Sequence, residues 1–209
     1  MSGLFITLEG PDGSGKSTAS RMIVSYLRQK GLRVTLTREP GGTDISEEIR
    51  HIILDNKNTE MKSTTEALLY AASRAQHVGE KIIPAVDANR IVVCDRFVLS
   101  SLVYQGIGRE LGIESIKTIN DFATTGLEPD MILFFDIDPK VALTRKTKRG
   151  KADRLEKEAI EFHRSVYEGY KSLLNIYGDK VKTIDADNSK KNVFEQVKNA
   201  VDDLIEGRL

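Results

Sequence analysis

The sequence contains a single cysteine and carries no excess of charge of either sign. Cys94 ends the apolar run 91–94, so a disulfide framework is excluded, and a buried small hydrophobic residue is expected there in place of a reactive thiol. Lys and Arg together number 31, and so do Asp and Glu. This balance supplies no global positive field to attract nucleic acid, and no nucleic-acid partner is expected. Any anion-binding site must therefore be local.

Long hydrophobic runs are also missing. No apolar stretch approaches the ~20 residues that a membrane-spanning helix needs, and the first eight residues lack the basic and apolar regions of a signal peptide. A cytoplasmic protein without membrane contact is therefore expected. The histidines His51, His77 and His163 lack the spacing of zinc ligands and are interpreted as structural. The length of 209 residues suits a single domain, residues 1–209.

Short apolar runs alternate with longer helical patterns along the chain. Strands are predicted at residues 4–8, 33–37, 91–94, 131–135 and 181–184. Their nearly continuous apolar character favours a parallel sheet that is covered on both faces. Helices are predicted at residues 16–30, 44–55, 63–88, 97–104, 113–125, 139–148, 156–177 and 190–206. This alternation predicts a doubly wound α/β fold with a five-stranded parallel sheet.

Residues 10–17 (GPDGSGKS) match the pattern G-x-x-x-x-G-K-[ST] between a predicted strand and a predicted helix. In such a P-loop, glycines allow backbone N–H groups to surround phosphate oxygens, and the helix start adds its positive dipole end. We expect Lys16 to reach the β and γ phosphates and Ser17 to bind Mg²⁺. The predicted contacts of the nucleoside triphosphate are Gly10, Pro11, Asp12, Gly13, Ser14, Gly15, Lys16, Ser17 and Thr18.

The apolar run 91–94 delivers a carboxylate, Asp95, to the predicted end of its strand. Ligands of open α/β sheets bind at the carboxyl ends of the strands, so Asp95 is a second candidate on the Mg²⁺ side, directly or through water. A turn or helix-cap role for Asp95 is the alternative. Glu9 closes the first strand and is placed farther from the same ion.

Four further segments resemble the signatures of thymidylate kinases, in the same order and at similar spacing. They are residues 37–43 (TREPGGT), 70–74 (YAASR), 95–101 (DRFVLSS) and 104–106 (YQG), and the resemblance extends over essentially the whole chain. It implies a three-layer P-loop fold of the nucleoside monophosphate kinase type. It also implies transfer of the γ-phosphoryl of ATP to dTMP with Mg²⁺, giving dTDP and ADP for dTTP biosynthesis, and a homodimer.

The resemblance assigns the phosphate and sugar of dTMP to charged side chains. Arg96 would bridge the dTMP phosphate and the transferring group, and Arg38 and Arg50 would contact the monophosphate, for which the planar guanidinium is well suited. Alternatively, Arg38 fixes the loop 37–43, and Arg50 is a solvated helix residue. Asp12 would hold the 3'-hydroxyl of the sugar.

The resemblance also assigns the base pocket. Tyr70, where many bacterial relatives carry Phe, would stack on thymine, although ordinary core packing is the alternative. Arg74, on the same helix face, would donate to the 4-oxo group. Ser101 and Gln105 would read the edge of the base, and Tyr104 would crowd the sugar near the 2' position.

The P-loop lacks the arginine that eukaryotic thymidylate kinases carry there. The positive charge is therefore expected to come from a basic lid segment at about residues 145–156. This segment resembles the bacterial type of lid. Arg149 is the first candidate for the arginine that acts on the transition state and Arg154 the second, with Arg145 nearer the adenine or the phosphates. The turn 185–189 either borders the adenine or simply caps the last helix.

Two other functions compete with this interpretation. A P-loop kinase for another nucleotide or small-molecule acceptor would share residues 10–17 without the full set of acceptor residues. A P-loop regulatory or nucleic-acid motor protein is disfavoured by the short, neutral chain, which has no basic stripe.

Overall fold

The structure, a computed structural model, describes residues 3–147 and 153–208, without the side chains of residues 146 and 147. It contains five strands: β1 (Leu4–Glu9), β2 (Val34–Arg38), β3 (Ile91–Asp95), β4 (Met131–Asp136) and β5 (Val181–Asp185). They form one parallel sheet in the order β2-β3-β1-β4-β5. The predicted five-stranded parallel sheet is therefore confirmed, and each strand lies within one residue of its predicted bounds.

Nine α-helices lie within the described residues: α1 (Lys16–Gln29), α2 (Asp44–Leu54), α3 (Ser63–His77), α4 (Ile83–Asp87), α5 (Val98–Ser101), α6 (Ile113–Thr124), α7 (Pro139–Thr147), α8 (Ile160–Tyr177) and α9 (Lys190–Glu206). Two π-helical segments, Val78–Ile82 and Leu102–Gly108, follow α3 and α5. None of these helices combines the length and the apolar character needed to cross a membrane.

The core lies on both faces of the sheet, because alternate strand residues point to opposite sides. Leu4, Ile6 and Leu8 of β1 pack with α1 and α9, whereas Phe5 packs on the other face with the segment that follows α3. Ile132 and Phe134 of β4 share that second face with α8. The result is a three-layer αβα arrangement, as predicted. At the edge, β5 buries only Ile184.

Three predicted helices differ from the observed ones. The pattern at 63–88 is broken by the π-helical segment Val78–Ile82, which precedes Pro84 in the first turn of α4; proline has no N–H to continue the α-helical ladder. The pattern at 97–104 becomes a short α5 followed by the second π-helical segment. The pattern at 156–177 begins at Ile160, because Ala159 is extended.

The register of the central strands brings the predicted motifs together. Leu8 of β1 and Arg38 of β2 both stand beside Asp95 of β3. The P-loop follows β1 directly, so its residues and the carboxylate of Asp95 meet at the same edge of the sheet. This edge is where parallel α/β sheets bind ligands.

We expect the substitution Ile6→Ala to lower the free energy of unfolding by about 2–5 kcal/mol, since it empties space in the middle of the central strand. Ile6 is fully buried, whereas Ile176 is 73% exposed. The matched variant Ile176→Ala should change the free energy by less than about 1 kcal/mol. Urea unfolding followed by circular dichroism measures both, and equal losses would contradict the assignment of the core.

Candidate active site

The P-loop curls around the ammonium group of Lys16. Three of its glycines have positive φ values: 133° at Gly10, 84° at Gly13 and 99° at Gly15. Residues with a Cβ rarely adopt this region. A Cβ on Gly10 would also lie 2.7 Å from the carbonyl oxygen of Phe135. The Lys16 Nζ donates to the carbonyl oxygens of Gly10 and Pro11 at 2.9 and 2.7 Å. The loop therefore has the shape and the donor that bind phosphate in this motif.

The pKa of Lys16 is displaced by its surroundings. The residue is 5% exposed, and burial, followed by the charge of Arg96, lowers the pKa of the ammonium to about 8. Asp95, Asp12 and Glu9 act in the opposite direction. A phosphate group beside Lys16 would supply the missing negative charge and favour the protonated form.

Ser17 and Asp95 form the pair that was predicted to face Mg²⁺. The Ser17 hydroxyl donates to Oδ2 of Asp95 at 2.5 Å, at the exposed side of the P-loop. Among residues 3–147 and 153–208, no group of three or more His, Cys, Asp or Glu side chains is arranged to hold a metal. One hydroxyl and one carboxylate fit Mg²⁺, which keeps several waters and binds substrate phosphates instead of an all-protein cage.

Arg96 projects into the cleft from a strained backbone. Its φ is 73°, which is costly for a residue with a side chain and is enriched at functional sites. Its Nη2 donates to Oδ1 of Asp12 at 2.8 Å and to the Tyr104 hydroxyl at 3.2 Å. Its Nη1 donates to the hydroxyls of Ser100 and Tyr170 at 2.9 and 3.2 Å. The guanidinium is thus held on both sides before any substrate binds.

Glu9 lies behind Arg96 and contacts the residues that hold it. Its buried carboxylate accepts from the Phe97 amide at 2.8 Å, from Ser100 at 2.5 Å and from Tyr170 at 3.2 Å. Burial raises the pKa of Glu9. The residue orients the two hydroxyls that receive the hydrogen bonds of Arg96, a role that its position at a strand end does not reveal.

Arg74 is 1% exposed and is held on three sides. Its Nε donates to Oε2 of Glu39 at 2.7 Å, and its Nη1 donates to the Ser101 hydroxyl at 3.0 Å and to Oδ1 of Asn120. The guanidinium carbon lies 5.4 Å from the ring centroid of Phe97. Glu39 and Asn120 were not predicted as partners of Arg74, although Glu39 lies within the segment 37–43.

His77 extends this network and has a structural role, as interpreted from the sequence. Its Nδ1 lies 3.0 Å from Oε1 of Glu39, and its Nε2 lies 2.6 Å from the Thr37 hydroxyl. Glu39 therefore connects a strand end, the loop after it and helix α3. Because Glu39 is buried and hydrogen-bonded to both Arg74 and His77, it leaves the Arg74 guanidinium little freedom to move.

One cleft of about 740 Å³ gathers most of the predicted site. The predicted residues that line it are Asp12, Gly13, Gly15, Lys16, Ser17, Thr18, Arg38, Arg50, Tyr70, Arg74, Asp95, Arg96, Ser101, Tyr104 and Gln105. Glu39, Ser100 and Asp153 line it too.

Tyr70 lines the cleft as a neutral phenol. Burial raises the pKa of Tyr70, so its hydroxyl stays neutral across the physiological range.

Arg38 and Arg50 line the cleft while also holding the loop beside it. Arg38 donates twice to Glu47, at 2.6 and 2.9 Å, and Glu47 accepts from the Gly42 amide at 2.7 Å. Arg50 donates to the carbonyl oxygen of Pro40 at 2.8 Å. The alternative role of Arg38, fixing the loop 37–43, is therefore visible in the structure together with its place in the cleft.

A second, smaller cleft of about 140 Å³ lies on the other side of the P-loop. Ser14 and Thr18 line it together with Arg145, Ala186 and Asn188. Arg145 donates to the carbonyl oxygen of Ala186 at 2.8 Å and to Asp187 at 2.7 Å.

The turn 185–189 borders this cleft and also caps a helix; its predicted contact with the adenine stays a prediction. Ala186 and Asn188 line the cleft. Ser189 caps α9 by accepting from the Asn192 amide at 3.2 Å.

Of the two candidates for the transition-state arginine, only Arg154 is among the described residues. Arg149 lies outside the described residues. Arg154 is not among the described residues that line the large cleft; its Nη2 donates to Oε2 of Glu66 at 2.5 Å and its Nε to the carbonyl oxygen of Ile53 at 3.0 Å. This position argues against the prediction that Arg154 acts on the transferring group.

A P-loop that follows the central strand, with arginines gathered at the carboxyl edge of a five-stranded parallel sheet, defines a phosphotransferase of the nucleoside monophosphate kinase type. The sequence profile of the thymidylate kinase family matches residues 8–197. The chain belongs to the thymidylate kinase family and is an ATP-dependent nucleoside monophosphate kinase.

Individual relatives agree with this assignment. Thymidylate kinase of Finegoldia magna is 55% identical over 193 residues, which cover 92% of this chain and 95% of that protein. Thymidylate kinase of a Geobacillus species is 52% identical over 210 aligned residues, which cover both chains completely. The crystal structure of thymidylate kinase from Ehrlichia chaffeensis matches with a TM-score of 0.80 at 28% identity, over 96% of this chain and all of that one.

We expect ATP affinity to fall as the pH rises above 8. Lys16 must be protonated to neutralise the phosphates, and its pKa of about 8 means that the free enzyme loses this proton at higher pH. Between pH 8 and 9.5 the affinity should drop by up to ~10-fold per unit. Isothermal titration calorimetry measures this slope.

The variant Lys16→Ala should bind ATP weakly and with no such slope. The control Lys30→Ala, at the far end of the helix that Lys16 begins, should behave as the wild type. A slope that survives in Lys16→Ala would assign the titration to another group.

Proposed function

We propose that this enzyme phosphorylates dTMP with ATP, giving dTDP and ADP for the synthesis of dTTP. The observation that carries the proposal is the buried guanidinium of Arg74, which Glu39, Ser101 and Asn120 hold beside the cleft. A fixed donor of this kind selects a base with an oxo group, because a buried donor left without a partner weakens binding strongly.

The donor nucleotide is assigned to the P-loop and the smaller cleft. The P-loop amides and Lys16 would hold the triphosphate, and Ser14, Thr18 and Arg145, which line the smaller cleft, would border the rest of the nucleotide. Ser17 and Asp95 would hold Mg²⁺, which would neutralise negative charge on the phosphates. The hydroxyl–carboxylate contact of 2.5 Å supports this pairing.

The acceptor phosphate is assigned to Arg38, Arg50 and Arg96. All three line the large cleft, and guanidinium groups bind two phosphate oxygens at once. Asp12 and Tyr104 both contact Arg96, which supports a position for them next to the sugar of a nucleotide whose phosphate Arg96 would bind. Asp12 would then receive the 3'-hydroxyl, and Tyr104 would limit the space at the 2' position.

The base is assigned to the part of the cleft between α3 and the segment after β3. Tyr70 lines it and would stack on thymine. Arg74 would donate to the 4-oxo group, while Ser101 and Gln105, both buried, would complete the edge of the pocket.

Catalysis would consist of positioning and of electrostatic stabilisation, as in other phosphoryl transfers. Lys16 and Arg96 would lie on the donor and acceptor sides. Burial and, after it, the charge of Arg96 lower the pKa of Lys16, and phosphate groups between the two cations would offset this repulsion. The lid at about residues 145–156 would add Arg149 and exclude water.

Three properties belong to the same proposal. The chain would act as one kinase domain, residues 1–209, that includes the lid. It would form a homodimer and act in the cytoplasm, as the membership in the family suggests. It would need neither nucleic acid nor a membrane, in line with its balanced charge.

A coupled assay of ADP release with six acceptors tests the proposed substrate. We expect kcat/KM to be highest for dTMP, lower for dUMP and UMP, and at least ~10³-fold lower for dCMP, which lacks the oxo acceptor that Arg74 requires. AMP and thymidine should give no turnover above ATP hydrolysis. A higher kcat/KM for any other acceptor would favour the competing function, a P-loop kinase for that compound.

We expect Arg149→Ala to lower kcat by as much as ~10³-fold with a smaller change in KM for dTMP, because an arginine finger acts on the developing charge. Arg154→Ala should mainly lower the melting temperature and have only a small effect on kcat, since Arg154 binds Glu66. Arg33→Ala, at the amino edge of the sheet, is the control.

Steady-state kinetics and thermal unfolding distinguish the outcomes. Arg145→Ala is the third variant of the lid. If it alone lowers kcat, the transition-state role belongs to Arg145. If Arg145→Ala, Arg149→Ala and Arg154→Ala all keep the wild-type kcat, the lid supplies no catalytic charge.

A further inference from the structure

Gln105 and Glu66 form a buried pair at the wall of the base pocket. Both side chains are 1% exposed, and the Gln105 Nε2 donates to Oε1 of Glu66 at 3.0 Å. Glu66 lies on α3, one helical turn before Tyr70, and Gln105 lies in the π-helical segment Leu102–Gly108. Only Gln105 of this pair lines the cleft.

Glu66 is ionised in this environment. Burial alone raises the pKa of the carboxylate, but the hydrogen bonds from Gln105, Arg109 and Arg154 lower it, and the net pKa lies below the usual value. Arg109 donates to both oxygens at 3.3 and 3.2 Å, and Arg154 donates to Oε2 at 2.5 Å. An ionised carboxylate only accepts hydrogen bonds.

This acceptor sets the orientation of the Gln105 amide. The two ends of an amide have nearly the same size, but one donates and the other accepts. Because Glu66 can receive only the NH₂ end, the carbonyl oxygen is the end left for the cleft. A reversed amide would place its oxygen against the carboxylate, with like partial charges and no shared proton.

The orientation matters because two pyrimidines differ at this edge. A 4-oxo base carries an N3–H donor beside an oxygen acceptor, whereas a 4-amino base carries an N3 acceptor beside an amino donor. Arg74 offers a donor, and the Gln105 carbonyl oxygen offers an acceptor. Arg74 also donates to Ser101, one turn before Gln105, at 3.0 Å, so both groups border the same part of the cleft.

We propose that Glu66 is a positioning residue for base selection, which acts through Gln105 to present an acceptor beside the Arg74 donor and thereby favours 4-oxo over 4-amino pyrimidine nucleotides. The inference rests on the proposed function, dTMP phosphorylation. It assigns Glu66 no contact with the substrate.

The test compares kcat/KM for dTMP and dCMP in Glu66→Gln. The neutral amide can donate as well as accept, so Gln105 is free to reverse and to offer its NH₂ group to the base. We expect the ratio of dTMP to dCMP to fall at least ~10-fold, the size of one hydrogen bond of about 1.4 kcal/mol, with KM for ATP within about twofold of wild type. An unchanged ratio in folded Glu66→Gln overturns the proposal.

Glu158→Gln is the matched control. Glu158 binds the same Arg109 at 2.6 Å, so this variant removes one carboxylate from the same network and leaves the Glu66–Gln105 pair in place. It should keep the wild-type ratio. A loss of the ratio in Glu158→Gln equal to that in Glu66→Gln would mean that the network acts only through stability, which overturns the proposal.

The double variant Glu66→Gln with Gln105→Glu exchanges the two groups and keeps their total charge. The amide introduced on α3 would donate to the new carboxylate, whose second oxygen again offers an acceptor to the cleft, so the preference for dTMP should return to within about threefold of wild type. If Glu66→Gln does not fold, this swap decides alone: a retained preference supports the proposal and a lost one overturns it. The wild type distinguishes failure of the proposed role of Glu66 from failure of the proposed function. A wild-type enzyme that does not prefer dTMP to dCMP would refute the proposed function.

Discussion

The parallel pairing of β1 with β3 is the constraint on which the cleft depends. Leu8 and Asp95 stand side by side in this register, and the Arg96 amide donates to the Leu8 carbonyl at 2.9 Å. The P-loop leaves one strand and Arg96 leaves the other, so backbone hydrogen bonds set the separation between the phosphate cradle and the arginine. A slip of one residue would exchange the faces of β3 and remove Asp95 from Ser17.

Three buried acidic side chains orient polar groups that line this cleft. Each accepts at least two hydrogen bonds, which offsets the cost of burying its charge. Glu9, Glu39 and Glu66 support Arg96, Arg74 and Gln105, respectively. The site is therefore built in two layers, and the geometry of the inner layer is fixed during folding, before a nucleotide arrives.

Patterns that are local in sequence predicted the fold and the position of the P-loop well. Continuous apolar runs identified the strands, because a parallel sheet buries both faces, and the P-loop is contiguous, so its residues are necessarily together. The partners of Arg74 and Gln105 were not predicted. Glu39 lies 35 residues before Arg74, and Glu66 lies 39 residues before Gln105; only tertiary packing pairs them. The same reason explains Arg154, whose partner lies 88 residues away.

The smaller cleft beside the P-loop is assembled from distant parts of the sequence. Ser14 and Thr18 belong to the first strand–helix unit, whereas Ala186 and Asn188 follow the edge strand β5. During synthesis on the ribosome, the phosphate-binding loop emerges early, but the wall opposite it is made only when the last strand and helix leave the exit tunnel. In a growing chain this smaller cleft is therefore incomplete, and a ligand that binds in it can stabilise only the finished fold.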